Sequence, residues 1–182
     1  MANNPKPRIE IENIIKDLSI DRTRFFEVDK LTYRQIIDKT ISKFIYCRDK
    51  FDFNLQRGYL RYNPKLRCIG IACQNHNEWW QWFRLLPQIC PNNAEVVYII
   101  FVGKDYSWVY EAFLPEIVEV LFQGSPIGDG DCYIISKKLE WLIGYSDDGD
   151  YITCVDDSAY FDFDSMKLID KEIKVSLHTT EA

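Results

Sequence analysis

A run of seven apolar residues, from Val96 to Val102, constrains the fold more than any other feature of the chain. The run consists of β-branched and aromatic residues, and no position within it is polar. Such a run is typical of a strand that is buried on both faces of a sheet. The sequence therefore predicts a central strand here, inside a chain of 182 residues that is long enough for one domain with a substantial core.

The hydrophobic period changes along the chain from helical to strand-like. Apolar residues spaced three and four apart predict helices over 9–20, 32–47, 77–86 and 115–122. Thr32 and Gln35 form a capping box at the start of the second helix, Asn77 is a candidate cap of the third, and Pro87 is expected to stop the third. The stretch between the first two helices mixes basic and acidic residues and is predicted to be a solvated connection.

Strands follow the helical part. Runs of β-branched and aromatic residues predict them over 59–62, 66–72, 96–102, 107–113, 132–136, 139–145 and 151–155. Asp148-Gly149 predicts a hairpin between the last two. The expected fold class is α+β, with N-terminal helices packed on a mostly antiparallel sheet of about five to seven strands. Residues 1–182 form a single domain in this prediction, with a helical layer over 1–50, a sheet-rich core over 57–158 and an acidic, aromatic tail over 159–182.

The composition indicates a cytoplasmic protein. The first seven residues lack the apolar stretch of a signal peptide, and no apolar run is long enough to span a bilayer. Six cysteines are present, but several lie within apolar runs and no secretory signal favours their oxidation. They are predicted to be buried free thiols.

The charge is divided unevenly between the two halves of the chain. Residues 1–84 contain 16 Lys and Arg against 10 Asp and Glu, whereas residues 85–182 contain 6 against 18 and no arginine. Because like charges repel, such a division points to electrostatic partners rather than to a fold. Two outcomes are open: the acidic half faces a basic partner, or it pairs with the basic half within the fold.

Catalytic and cofactor signals are weak. His76 is the realistic general base, and its spacing from Cys68, Cys73 and Cys90 does not match a structural zinc site. No nucleotide-binding glycine motif occurs. A basic patch of Arg61, Lys65 and Arg67 has phosphate-binding character, but the acidic half disfavours nucleic acid. We therefore expect no enzyme activity, no cofactor and no metal site.

One segment matches a protease site. Glu119-Val120-Leu121-Phe122-Gln123-Gly124 is similar to the core of the sequence that picornaviral 3C proteases cleave, a sequence often engineered into recombinant proteins. Ser125 departs from the proline that usually follows. The apolar pattern that begins at Pro115 continues through the segment, which favours a native helix, and both origins stay open at this point.

Two resemblances bear on function. In size, acidity, aromatic content and lack of a catalytic motif, the chain resembles bacterial immunity proteins of polymorphic and contact-dependent toxin systems. The stretches Trp108-Val109-Tyr110-Glu111 and 131–142 are also similar to an uncharacterised bacterial family with a W-x-Y-E strand and an S-K-K-x-x-W-L hairpin. The first resemblance implies a protein that neutralises a toxin by occluding its active site.

The immunity reading assigns a binding surface. Its acidic and aromatic members are Asp147, Asp148, Asp150, Asp156, Asp157, Tyr145, Tyr151 and Tyr160. The carboxylates would steer a basic toxin or effector domain into contact, and the tyrosines would supply rigid contact area. No membrane contact is expected. Two alternatives remain: a self-associating or adaptor module, and a metal-assisted hydrolase that uses the acidic loops.

Overall fold

Seven antiparallel strands form one sheet in the computed structural model, which describes residues 6–45, 62–73, 76–90, 92–103, 106–123, 131–146 and 151–180. The strands are β1 (Phe25–Glu27), β2 (Arg67–Ala72), β3 (Val96–Gly103), β4 (Tyr106–Phe113), β5 (Asp131–Ser136), β6 (Trp141–Ser146) and β7 (Tyr151–Asp156). Their order across the sheet is β1-β4-β3-β5-β6-β7-β2. The expected α+β class with an antiparallel sheet is confirmed.

Strand β3 is buried on both faces, as its apolar run predicts. Val97, Ile99 and Phe101 contribute to one hydrophobic core, which we call the larger core. Ile100 and Val102 contribute to a second core on the opposite face, which we call the smaller core. Since successive side chains of a strand point to opposite faces, one continuous apolar run serves both cores.

Within the described residues, five helices cover the sheet from both sides. They are α1 (Lys6–Asp17), α2 (Lys30–Phe44), α3 (His76–Ile89), α4 (Leu114–Gln123) and α5 (Phe163–Thr180). Helices α1, α3, α4 and α5 bury side chains in the larger core, whereas α2 buries Ile36, Ile41 and Phe44 in the smaller core. The first two helices therefore lie on opposite faces of the sheet, whereas the sequence predicts a single helical layer for this part of the chain.

Strand β1 was not predicted. Phe25 is fully buried and pairs with Ala112 of β4, although charged residues surround it in sequence. A strand of three residues has too few positions to show an alternating pattern, which explains why the segment resembles a solvated connection. The predicted strand over 59–62 lies outside the described residues except for Tyr62, which forms an isolated bridge with Ile45.

The start of α2 differs from the predicted capping box. Asp29 is the N-cap, and its carboxylate accepts hydrogen bonds from the backbone N–H groups of Leu31 and Thr32. Thr32 donates its hydroxyl to the same carboxylate instead of capping the helix itself. Aspartate is a strong N-cap residue. Leu31, in the first turn, is exposed and so is not part of the buried apolar face from which the start of the helix was predicted.

Pro87 does not stop α3, which continues to Ile89. The proline removes only its own N–H donor, and the next turn still closes because Cys90 N donates to Leu86 O at 3.0 Å.

Residues 163–180, for which only a tail was expected, form helix α5, and its Met166 and Ile173 are buried in the larger core. Of the helices within the described ranges, none is both long and apolar enough to cross a membrane.

Four of the six cysteines are buried free thiols, as predicted: Cys73, Cys90, Cys132 and Cys154. Cys68 is free but exposed, because it lies on strand β2 at the border of the described sheet. Cys47 lies outside the described residues.

The chain turns sharply after α1 in a Schellman motif. Ile20 N donates to Ile15 O and Ser19 N donates to Lys16 O, both at 3.0 Å. Ser19 has a φ of 54°, the left-handed conformation that this position requires. Replacing Ser19 with glycine relieves about 1–2 kcal/mol of left-handed strain, against roughly 0.4–1 kcal/mol of added chain entropy in the unfolded state.

We therefore expect Ser19→Gly to raise the free energy of unfolding by about 0.5 kcal/mol. Urea denaturation followed by circular dichroism measures the change. Ser19→Ala is the matched control, since it removes the same hydroxyl without the glycine's conformational freedom. An equal gain in both variants would show that left-handed strain is not the cause.

Gly144 is required by a close approach within the smaller core. A Cβ added to this residue would lie 2.6 Å from the hydroxyl oxygen of Tyr62 and 3.1 Å from the ring of Tyr133. The burial of Tyr62 raises the pKa of its hydroxyl, so the group stays neutral and hydrogen-bonds with Thr153. Gly144 thus leaves room for a buried hydroxyl above β6.

Gly144→Ala is expected to lower the free energy of unfolding by about 1–3 kcal/mol through overpacking. In a Tyr62→Phe background the same substitution should cost less, because the clashing oxygen is gone. A double-mutant cycle measured by urea denaturation isolates this term. Equal costs in the two backgrounds would contradict the assignment.

Candidate functional site

The carboxylates of the predicted binding surface do not lie together. The β6–β7 connection, which carries Asp147, Asp148 and Asp150, joins Ser146 to Tyr151, and these two residues pair with each other. Asp156 and Asp157 follow at the other end of β7, six residues away along an extended strand of roughly 17 Å. Residues 147–150 themselves lie outside the described part of the chain. The surface expected from the sequence is therefore divided between two ends of the sheet.

Asp156 is a structural residue and not a surface contact, which corrects its predicted role. Its side chain is fully buried, and its Oδ2 accepts a hydrogen bond from Phe161 N at 2.8 Å. Arg67 approaches Oδ1 at 3.4 Å and also donates to Phe161 O, while its guanidinium lies 4.6 Å from the ring centroid of Phe163. This cluster holds the start of α5 against the end of β7.

The predicted tyrosines have mostly structural positions. Tyr145 is 3% exposed and packs against Trp79 with ring centroids 4.3 Å apart, so it is not available to a partner. Tyr160 is half-buried and stacks on Trp141, and its hydroxyl accepts a hydrogen bond from Asn92 N. Burial raises the pKa of Tyr160 to about 12. The side chain of Tyr151 lies outside the described residues.

Asp157 is exposed but forms an ion pair with Lys43 of α2. Arg67, a member of the predicted basic patch, is likewise engaged by Asp156. Both pairs join a cation of the first half of the chain to a carboxylate of the second. The alternative in which the two halves pair within the fold is therefore correct for these residues. Arg61 lies outside the described residues.

The stretches that resemble the uncharacterised bacterial family, 108–111 and 131–142, lie at the centre of the sheet. Lys137 Nζ binds Glu111 Oε2 at 2.6 Å across β3 and also lies 5.4 Å from the ring of Tyr98. Ser136 Oγ accepts the N–H of Glu140 at 2.9 Å and closes the turn between β5 and β6. These motif residues hold three strands in register, which is a structural role.

Thiol and metal chemistry receive no geometric support in the described part of the chain. Burial raises the pKa of the Cys90 thiol to about 12 and raises that of Cys154 well above its ordinary value, so neither forms a thiolate readily at neutral pH. No group of three or more histidine, cysteine or acidic side chains among the described residues has the arrangement of a metal site. The side chain of His76 is outside those residues.

A groove between α1, α3 and α4 is a surface that the sequence analysis did not identify. It has a volume of about 590 Å³ and is lined by Leu18, Ile20, Arg84, Pro87, Pro115, Glu116, Val118 and Glu119. Helix α4 presents Leu114, Ile117 and Leu121 to the larger core. Next to this buried face, positions 115, 118 and 122 continue the apolar arc of the helix: Val118 packs against the larger core, and Phe122 is 45% exposed.

The apolar arc of α4 is wider than its buried face, since it extends from the buried residues to the exposed Phe122. The helix predicted over 115–122 contains these residues, but its sequence pattern does not show which of them are exposed. Val120 and Leu121 of the segment that resembles a protease site are fully buried in the larger core, so residues 119–123 are an integral part of the helix.

The electrostatics of the groove are uneven. Arg24 Nε donates to Glu116 Oε1, and the Arg24 guanidinium also lies 4.2 Å from the ring centroid of Phe113. Glu116 Oε2 is buried and has no hydrogen-bond partner among the described residues. Arg84 stacks over Phe122 at 4.4 Å, and the exposed Glu119 has no ion pair with any described residue.

The adjacent residues Asp156 and Asp157 provide a direct test of the corrected roles. We expect Asp156→Ala to lower the free energy of unfolding by about 3 kcal/mol, because it leaves a buried donor unpaired and separates Arg67 from its partner. Asp157→Ala removes a pair at the surface and should cost about 1 kcal/mol or less. Urea denaturation of both variants measures the difference. Similar costs would show that Asp156 does not anchor α5.

Comparison with known proteins gives one informative match. No curated protein and no solved structure matches the chain. The match is to a family described as "Family of unknown function (DUF6756)", and it covers residues 3–160, which include α1 to α4 and the whole sheet but not α5. The chain therefore belongs to the Family of unknown function (DUF6756).

Proposed function

We propose that this protein is a binding domain for a basic protein partner and acts, in the manner of an immunity protein, by covering the active site of a toxin or effector domain. A cytoplasmic location and the absence of catalytic activity are parts of the proposal. The observation that supports it best is the convergence of acidic connections at one end of the sheet. We call this region the acidic end and define it by Gly103, Asp131, Ser146 and Tyr151.

Strand pairing places these four residues side by side. Gly103 pairs with Tyr106, and Val102 pairs with Asp131. Cys132 pairs with Tyr145, and Ser146 pairs with Tyr151. The β3–β4, α4–β5 and β6–β7 connections therefore all meet the sheet at the same end. These connections contain Lys104 and the carboxylates of Asp105, Asp129, Asp147, Asp148 and Asp150.

Carboxylates that are grouped from several connections create a local negative field. Such a field accelerates association with a positively charged surface and weakens as salt increases. Several other carboxylates of the second half are already neutralised, since Glu116, Asp156 and Asp157 pair with Arg24, Arg67 and Lys43. The acidic end is thus where the excess negative charge of the chain is best placed to act on a partner.

The test begins with an affinity capture from lysate of the source cells at low and at high salt, followed by mass spectrometry. A basic protein retained at low salt and lost at high salt identifies the partner. We then expect Asp147→Lys with Asp148→Lys to slow association with that purified partner several-fold, because steering acts mainly on the association rate. Stopped-flow or surface plasmon resonance measures the rate.

A single reversal, Asp148→Lys, is also compared with its matched control Asp164→Lys, a reversal at an exposed carboxylate at the start of α5. It follows the Asp156 cluster and so lies at the other end of the sheet. An association rate that is unchanged by the double reversal, or slowed equally by Asp148→Lys and its control, would contradict a role for the acidic end. Self-association detected by light scattering at low salt, with no other partner retained, would favour the adaptor alternative.

A further inference from the structure

We infer that the outward side of α5 is a dimer interface, at which this chain binds a second copy of itself through a parallel pair of α5 helices. One side of α5 lies in the larger core, where Met166 and Ile173 are buried. The outward side, about 160° around the helix, carries Leu168 and Val175, which are 64% and 56% exposed. The inference uses no residue of the acidic end, so it does not depend on the function proposed above.

Leu168 and Val175 form one apolar strip, which we call the α5 strip. Seven residues are two helical turns, so the two side chains project within about 20° of the same direction, about 10.5 Å apart along the axis. Single exposed apolar residues are ordinary on protein surfaces. Here two large ones, each more than half exposed, are aligned on one helix. Apolar residues that repeat every seven positions are typical of helices that pair with each other.

Two charged residues flank the α5 strip. Lys171 and Glu172 lie between its two members in sequence, and both are exposed. They project about 50° to either side of the strip, one on each flank. Neither forms an ion pair with a described residue, whereas the next lysine, Lys174, pairs with Asp170 of the same helix. The strip therefore has an unpaired positive charge on one flank and an unpaired negative charge on the other.

This arrangement of charges is complementary to a second copy of itself in the parallel orientation. In a parallel pair related by a twofold axis along the helices, each residue of the strip meets its own copy, and opposite flanks lie side by side. Lys171 then lies next to Glu172 of the second copy, and Glu172 lies next to Lys171 of the second copy. In an antiparallel pair like flanks meet, which places lysine beside lysine and glutamate beside glutamate. The flanking charges therefore favour the parallel pair.

The α5 strip is small, which sets the strength of the dimer. Two apolar residues and two ion pairs give less contact than a standard interface, so the association is reversible and depends on concentration. We expect a dissociation constant on the order of 0.1 mM. Helix α5 lies outside the residues that the family match covers, so this interface is assigned to this chain and not to the family.

Sedimentation equilibrium of the full chain, at concentrations from about 10 µM to about 1 mM, tests the inference. We expect a monomer–dimer equilibrium that Leu168→Lys weakens about tenfold or more, because it places two like charges at the centre of the contact. Ile9→Lys is the matched control, since it introduces the same charge at an apolar residue of α1 that is 52% exposed. A parent chain that stays monomeric throughout, or equal effects of the two variants, would overturn the inference. Circular dichroism verifies that both variants retain the fold.

An exchange of the flanking charges tests the ion pairs separately. Lys171→Glu leaves both flanks acidic and should weaken the dimer several-fold. Lys171→Glu combined with Glu172→Lys restores one charge of each sign, so the dissociation constant should return to that of the parent chain. A double variant that is as weak as the single one would show that these residues do not pair across the interface.

Disulfide cross-linking tests the orientation of the helices. In the parallel pair the two copies of position 168 face each other, so Leu168→Cys should give a cross-linked dimer under mild oxidation. The background carries Cys47→Ser and Cys68→Ser to remove other reactive thiols. Lys167→Cys is the control, since this exposed residue projects about 90° from the α5 strip. Failure of Leu168→Cys to cross-link, or equal cross-linking by Lys167→Cys, would contradict the parallel pair.

Discussion

Burial of the sheet on both faces is the constraint on which the rest of the structure depends. All six residues of β5 are buried, including Asp131 and Ser136, and its neighbour β3 contributes to both cores. Polar groups within such strands must be satisfied by the protein itself. Tyr133 accordingly donates its hydroxyl to Asp131 Oδ2 at 3.3 Å, and Ser136 closes the turn to β6. The helices of both layers are positioned by the apolar side chains that these central strands present.

The uneven charge of the chain has a partly internal explanation. Three cations of the first half, Arg24, Lys43 and Arg67, pair with carboxylates of the second half, and Lys174 of α5 approaches the buried Glu78 of α3 at 3.5 Å. Pairs at the surface contribute only about 0–1 kcal/mol each, so they orient elements more than they stabilise the fold. Five further carboxylates of the second half belong to the connections at the acidic end, where the proposed function places the partner.

The sequence predicted most strands of the sheet, but it did not predict which residues of the candidate surface are buried, for physical reasons. The apolar run of β3 and the Asp148-Gly149 hairpin signal are local patterns. The strands that they predict, namely β3, β6 and β7, are all present. Whether Asp156 or Asp157 is buried depends on what packs against β7, and no pattern within the strand shows this. The groove is formed by residues from three segments that are distant in sequence, so no local pattern predicts it.

The strand order has a consequence for how the chain folds during synthesis. The two strands in the first half of the chain, β1 and β2, occupy the two edges of the described sheet, and each pairs with a strand made much later: Phe25 with Ala112, and Arg67 with Asp156. Neither edge strand has a partner when it leaves the ribosome. Contacts this distant in sequence form slowly, and strands that wait for them are prone to aggregate. The last strand to emerge, β7, therefore completes the sheet, and a nascent chain that ends before it retains an unpaired β2.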